Sequence, residues 1–575
     1  MNTIGIDLGT TNTVVAYAYT NYDGKVESRV QSIGQLHNDN WEKYDALPSV
    51  VYYDKDGEIG DKKGGIIVGR QAKELRGQKS VVTNSKRFMG TQHKWSFDNL
   101  EYEAKDIGAM ILQHCKRTLD QNIDFESVVI TVPASFNPDQ IEDTLRAAKQ
   151  AGFKDDTIII KHEPTAALLS FIDNESRKSE QDRCIDFSAG KRILVFDLGG
   201  GTCDTSVIDV KVGVKDLTFK EVAIGRYQEL GGIDFDAQAA TGLLNKYLKD
   251  NNILEGDITD DELSVMHSKL VIAAEKLKEK LSANIYSALA MNENTDVEQV
   301  QAKINIPKFY NSEPYRIVLT KAEYDMYTSS LYIDNNVYYK KFEDMDKNKN
   351  IITVIRKTLE DYDISKNSID YVFLTGGMSK FPTIQQKIKE YLRKPVIMCD
   401  SPMESVAIGA AIYQHYKVRE EDRTNKVAKL NISSSKTEAP TIGSGIIDTM
   451  MLAEAVLIDM NEGLPKVIIP KKTVVPYEGE IVNEFRTTSP AGIKLNIYAA
   501  ENEMDSSMRV QKTLEKTFNF PVESGTPFDI HYRINENKAI EMKILIKDEH
   551  RQELDISVRS DIKIAEKDYN IIIEE

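Results

Sequence analysis

The apolar positions of this chain change period along its length, and the change divides it. Up to about Ile412, short apolar runs alternate with stretches of helical period. Val128-Val129-Ile130-Thr131-Val132-Pro133 predicts a buried strand running into a loop. Gln140 to Gly152 follows as a helix whose terminal glycine suits a C-cap, and Ile158-Ile159-Ile160 is a further strand. Such alternation predicts an α/β architecture. Asp261 to Ala283 predicts one long helix with two distinct faces. Leu270, Leu277 and Leu281 form one stripe; Glu275, Lys278 and Ser282 form another, roughly 100° round the helix. Residues 418–445 are rich in Lys, Glu, Ser, Thr and Gly and predict a polar linker. From 446 to 560 the period becomes two, as in Ile493-Lys494-Leu495-Asn496-Ile497-Tyr498 and Met542-Lys543-Ile544-Leu545-Ile546, which predicts an all-β sandwich. Residues 561–575 are left as a C-terminal tail.

One pattern occurs twice. Ile4-Gly5-Ile6-Asp7-Leu8-Gly9-Thr10-Thr11-Asn12-Thr13 returns as Ile193-Leu194-Val195-Phe196-Asp197-Leu198-Gly199-Gly200-Gly201-Thr202, about 190 residues later. Both read as β-hairpins with an Asp before a Gly-containing turn, and the repeat predicts two similar halves. A turn of Gly with Ser or Thr brings backbone N–H groups and hydroxyls onto one anion. An Asp beside phosphate makes sense once a hydrated Mg²⁺ is included, because this ion is commonly held by one or two carboxylates plus the phosphates. Facing each other, two such hairpins would close on one polyphosphate. A third turn, Leu374-Thr375-Gly376-Gly377-Met378-Ser379, has no Asp and suits the neutral part of a nucleotide.

Composition narrows the partners. The chain of 575 residues carries a net charge of -17 and no long basic run, which argues against nucleic acid. Cys115, Cys184, Cys203 and Cys399 are far apart and form no CxxC pair, so they are expected to be reduced and mostly buried. No stretch is apolar enough to span a bilayer and no targeting peptide precedes Asp7. The expected setting is cytoplasmic, without membrane contact.

In order, the pieces IGIDLGTTNT (4–13), KRFMG (86–90), VPASF (132–136), HEPTAA (162–167), FDLGGGTCD (196–204), LGGIDFD (230–236), AAEKLKEKLS (273–282) and LTGGMSKFP (374–382) resemble the seventy-kilodalton heat-shock (DnaK-like) chaperones. The resemblance is firm to about residue 415 and weaker to about 560, where MLAEAVLIDMNEGLPKVIIPKKTVVP (451–476) resembles the start of that family's substrate-binding domain. It implies an actin-like, sugar-kinase-like nucleotide-binding domain of two similar halves over 1–417, followed by a β-sandwich. It further implies slow ATP hydrolysis coupled to binding of unfolded or extended polypeptide, with ATP/ADP and Mg²⁺ as cofactors. J-domain co-chaperones and nucleotide exchange factors are the implied further partners. By the same resemblance Asp7 and Asp197 hold the Mg²⁺ shell, and Glu163 reaches one of its waters. Gly9, Thr10, Thr11 and Asn12 cradle phosphate from one side; Gly199, Gly200, Gly201 and Thr202 do so from the other, with Gly231 and Gly232 in the LGGIDFD segment beside them. Lys86 stabilises charge at the γ-phosphate. Glu275 and Lys278 reach the ribose, Ser282 the adenine, and Gly376 and Gly377 back the adenosine.

Departures from the family pattern carry expectations of their own. Glu279, Met378, Lys380 and Met403 stand where the family has other residues on the adenosine side, which predicts weaker recognition of the base. Ile159 replaces an Arg used with J-domain partners, and the apolar interdomain linker is reduced to Ile446-Ile447-Asp448, which predicts weaker coupling. The sequence stops before the family's helical lid. Cys203 reads as core filler and His162 as a local loop contact. The competing functions are a sugar or acetate kinase on the same superfold, a non-hydrolysing nucleotide-gated binding module, and an actin-like filament former.

Overall fold

The computed structural model describes residues 2–572 except 39, 60–61, 98, 180, 214–215, 226–228, 334–348, 430–444, 460–464, 501, 506–507, 536–537 and 556–565. It forms two compact units, one of residues 1–192, 206–226 and 404–575, the other of 193–205 and 227–403.

The first unit opens on strands β1 (Asn2–Leu8) and β2 (Asn12–Thr20), an antiparallel hairpin. Strands β3 (Val51–Ile59) and β4 (Lys62–Val68) form a second antiparallel pair. Helix α1 (Ala104–Asn122) leads to β5 (Phe125–Val132), α2 (Pro138–Gln150), β6 (Ile158–His162) and α3 (Glu163–Arg177). Strand β5 lies parallel to β1 and β6 parallel to β5, so β1 is the middle strand of the sheet. Its Ile4 and Ile6 are wholly buried, and the run Val128–Val132 is buried as its apolar sequence predicts. Helix α2 starts from a capping box in which Asn137 and Gln140 bond each other's backbone N–H. Gly152, with φ +91°, follows its end.

The chain then enters the second unit along β7 (Lys191–Leu198) and turns into β8 (Cys203–Val212), whose later residues return to the first unit beside β9 (Asp216–Ile224). Helices α4 (Gly232–Asp250) and α5 (Asp260–Met291) pack together in the second unit. Helix α5 is longer than the period predicts, and its Leu270, Leu277 and Leu281 are all wholly buried. Strand β10 (Tyr371–Thr375) runs parallel to β7.

From Glu404 the chain belongs to the first unit again. Helix α6 (Ser405–Lys429) packs on β1 and on α3, and two glycines allow the close approach: a Cβ on Gly5 of β1 would stand 2.2 Å from Ala407 O, and one on Gly409 1.7 Å from Ala166 O of α3. The helix continues through 418–429, where a polar linker is expected, since Lys, Arg and Glu are good helix formers; the rest of that stretch, 430–444, lies outside the described residues. Strand β11 (Gly445–Met451) pairs in parallel with β9, placing Ile446 opposite Leu217 and Asp448 opposite Phe219. Ile446 is buried but Ile447 is exposed, so the segment offers little apolar surface, and β11 docks on β9 chiefly by backbone pairing.

Two four-stranded antiparallel sheets follow. One contains Ala455–Asp459, Lys466–Ile469, Gly492–Ala500 and Arg509–Thr517; the other contains Tyr477–Arg486, Pro527–Ile534, Ile540–Ile546 and Glu553–Asp555. Val456, Ile458, Leu495 and Ile497 of the first meet Phe528, Ile530, Met542 and Ile544 of the second in one core. No helix of the described residues is long and apolar enough to cross a membrane. Of the four thiols, Cys115 and Cys203 are buried, but Cys184 is exposed and Cys399 half-buried.

Candidate functional site

Asp7 sits at the end of β1, across from Thr131 on β5. Burial and the charge of Glu163 push its carboxyl up to about 7, against the opposing pull of Lys86 and a hydrogen bond from Thr131. Glu163 is the first residue of α3, where its charge favours the helix dipole. Its Oε1 accepts from Lys86 Nζ at 2.5 Å, with both side chains more than nine-tenths buried. Lys86 is delivered by a short 3₁₀ turn, Ser85–Phe88, entered through Asn84 in the left-handed region. The structure therefore brings Asp7, Lys86 and Glu163 together, three residues far apart in sequence.

The first turn is tightly closed. A Cβ on Gly9 would stand 2.2 Å from Asn12 O, so only glycine fits. Ser49 clamps the turn: its hydroxyl donates to Gly9 O at 2.8 Å and its N–H to Thr11 O at 2.8 Å. The Thr10 hydroxyl is buried and makes no hydrogen bond. A buried hydroxyl without a partner costs free energy, and an incoming phosphate oxygen would supply one.

The second unit carries the second Asp-Leu-Gly turn. Asp197 ends β7 opposite Thr375, and Gly376 lies against it; a Cβ there would stand 2.4 Å from Asp197 Oδ1. Gly376 also needs its freedom, having φ +83°. The turn Gly199–Thr202 is closed by Gly199 N–H donating to Thr202 O at 3.0 Å. Gly232 N–H and Ile233 N–H, at the start of α4, donate to Gly199 O and Gly200 O at 3.0 and 2.8 Å. The helix N-terminus thus holds the loop itself. A Cβ on Gly231 would approach Gly201 N to 2.6 Å.

Glu275, Lys278 and Ser282 on α5 are half-buried, around the helix from the leucine stripe. Lys278 is engaged inside the protein: its ammonium donates to Asp236 Oδ2 at 2.8 Å and Gly232 O at 3.3 Å. Burial pushes Asp236 up to about 6, which Lys278 opposes and the charges of Glu275 and Glu279 reinforce. Gly377 lies near Met403, whose Cγ would be 3.8 Å from a Cβ at that position. Met378 is buried, so this departure fills the core, whereas Glu279 is exposed. Cys203 is wholly buried, and burial with the charges of Asp204 and Asp197 raises its thiol far above the ordinary range, as befits core filler.

His162 is more than a loop contact. It is buried and its Nδ1 bonds Glu221 of β9, whose other oxygen accepts from Met451 N–H at 2.9 Å. Lys538, from the sandwich, is buried beside them and donates to Ala134 O at 3.3 Å; burial pulls it down to about 8 although Glu221 opposes this. Lys161 forms a buried ion pair with Asp448 of β11 at 2.6 Å. Sequence reasoning missed Ser49, Thr131, Glu221 and Lys538, and no motif or spacing marks them.

The family profile described as Hsp70 protein matches residues 93–311 and 320–527. Two chains described as chaperone protein DnaK, from Thermosipho melanesiensis and Thermosipho africanus, are each 27% identical over 100% of this chain and 82% of their own length. A third of that description, from Mycoplasmopsis agalactiae, is 27% identical over 100% of this chain and 81% of its own. With the matched segments covering well over half its length and including the second turn, α4, α5 and most of the sandwich, this chain belongs to the Hsp70 family.

Proposed function

We propose that this protein is an ATP-dependent chaperone that hydrolyses ATP slowly and couples nucleotide state to the binding of extended or unfolded polypeptide. The observation that carries the reading is the buried Lys86–Glu163 pair beside Asp7. The α/β part, 1–417, is read as an actin-like ATPase domain, the sandwich over 446–560 as the polypeptide-binding part, and the setting as cytoplasmic.

The residues present suit Mg-ATP. Burial and a neighbouring carboxylate make the anionic form of Asp7 costly, and a divalent cation would relieve that cost. Asp7, Asp197 and Glu163 would hold a hydrated Mg²⁺, mostly through its waters, and the ion would neutralise charge on the phosphates. Gly9, Thr10, Thr11 and Asn12, with Gly199, Gly200, Gly201 and Thr202, would donate to those phosphates. Lys86 would place its charge where the transferred phosphoryl group becomes most negative. Its Glu163 partner holds it ready, so little reorganisation is needed. Lys278 would have to exchange Asp236 for a ribose hydroxyl, which makes it a competed contact. Extended polypeptide would pair with the sandwich by strand addition, and J-domain proteins and exchange factors are natural further partners. A kinase on the same superfold is disfavoured, because the Hsp70 match runs on into the sandwich, as far as residue 527.

Lys86→Ala tests the reading. Single-turnover hydrolysis should slow at least a hundredfold, about 2.7 kcal/mol, while Mg-ATP affinity measured by calorimetry stays within a few-fold. A rate within a factor of about two of the parent would remove Lys86 from the reaction.

A further inference from the structure

The outer edge of β4 is occupied by a distant part of the same chain. Strand β4 ends its sheet, in the order β4, β3, Val81–Val82. A terminal strand presents unpaired N–H and C=O groups that invite another strand. Ile66 N–H donates to Asn570 O at 3.0 Å and Ile572 N–H to Ile66 O at 2.8 Å, a parallel bridge between Ile66 and Ile571. The Asn570 side chain donates to Gly64 O. Helices α1 and α2 complete the seat. Lys567 Nζ lies 2.7 Å from Asp106 Oδ1, and the Tyr569 hydroxyl lies 3.0 Å from the same oxygen and 2.9 Å from Gln150 Oε1. Gln113 Nε2 donates to Lys567 O at 2.8 Å and Arg117 Nη1 to Ile571 O at 3.2 Å. Ile571 is 2% exposed and Tyr569 8%, and Ile572 packs on Val50, Ile67 and Ala72.

A chance surface contact would leave these side chains in water. Here the backbone is read by a strand edge, the tyrosine fills a polar seat, Ile571 is buried and Ile572 joins a core cluster. The Asp106 carboxyl is pushed up by burial, yet Lys567 and the Glu103 N–H hold it below its ordinary value once the segment is seated.

We propose that residues 566–572 are an intramolecular strap, a segment that adds itself to the β4 edge and fixes the far end of the sandwich to the α/β part of the first unit. The sandwich is then held at both ends, by β11 where the chain enters it and by the strap after Asp555. Ten residues, 556–565, join Asp555 to Glu566.

Hydrogen exchange on the full-length chain tests this, comparing the parent with Tyr569→Ala/Ile571→Ser and with Tyr569→Phe, which keeps the ring and loses the hydroxyl. The double variant should exchange at least tenfold faster at the β4 edge around Ile66. It should also exchange several-fold faster along β11, which the strap does not touch, because an unstrapped sandwich leaves β9 more often. Tyr569→Phe should shift both in the same direction by less. Faster exchange at β4 with β11 unchanged would show a locally packed tail and overturn the proposal. So would faster exchange everywhere, including β7 and β10 of the second unit, which would mark general instability.

Discussion

Gly376 shows how much one missing methyl group can decide. Its backbone, at φ 83° and ψ 150°, lies in a region that only glycine adopts readily, so any side chain there costs about 1–3 kcal/mol. Independently, a Cβ would stand 2.4 Å from Asp197 Oδ1 and 2.5 Å from Leu198 O, so the turn before it would have to move. Gly376→Ala should therefore weaken Mg-ADP binding by tenfold or more while the chain still folds. Calorimetric titration checks it, and an unchanged affinity would detach this turn from the nucleotide. The Gly-Gly pair was visible in the sequence, but its seat against Asp197 was not. The same holds across the site. Asp7, Lys86 and Glu163 stand in recognisable local patterns. Ser49, Thr131, Glu221 and Lys538 act through partners tens to hundreds of residues away, and nothing in their own neighbourhoods marks them.

At the scale of elements, the strand β11 departs most from what its sequence suggests. Two isoleucines and an aspartate between polar residues look too short to bind anything. Read as a strand, the segment gains a ladder with β9 and an ion pair in which Asp448 is 1% exposed and Lys161 9%. Removing one member of such a pair leaves a buried charge, a loss of about 3–5 kcal/mol. Lys161→Met should accordingly free β11, seen as rapid exchange of its amides and loss of any polypeptide effect on ATP hydrolysis. Lys161→Met/Asp448→Leu should restore much of the β11 protection, since it leaves no charge behind. Single and double variants of equal effect would mean that the pair does not hold β11. Elements with strong periodicity were more legible: β5, α2, β6 and the buried face of α5 lie where the pattern puts them. Boundaries were less so, because the sequence of α6 changes from apolar to charged without ceasing to favour helix.

For the whole molecule, the alternation of strand and helix followed by a period of two already separated an α/β part from an all-β part. How the sandwich docks was illegible, because it rests on long-range pairings that no local pattern marks, among them β11 with β9 and Lys538 with Ala134 O. Acid stability is a property at this scale. His114 on α1 is buried, its Nε2 donating to Gly34 O at 2.7 Å, and burial lowers it to about 4. The unfolded chain takes up that proton near its ordinary value of about 6.5, so stability is lost as pH falls from there toward 4, by up to about 3 kcal/mol. Asp236 acts in the opposite sense, since a carboxyl raised to about 6 favours the folded state as pH falls. Comparison with His114→Gln isolates the histidine: the parent's advantage in denaturant midpoint should shrink between pH 7 and pH 4. A constant difference would mean that His114 stays accessible to protons in the fold.

The bonds from Gly232 N–H and Ile233 N–H to Gly199 O and Gly200 O bear on when disorder is removed. A run of three glycines is the most flexible stretch a chain can contain, and freezing each residue costs about 1–2 kcal/mol. Because helix α4 already holds that run in shape, the loss of freedom belongs to folding. The nucleotide then meets a rigid receptor, and more of its contact energy remains as affinity.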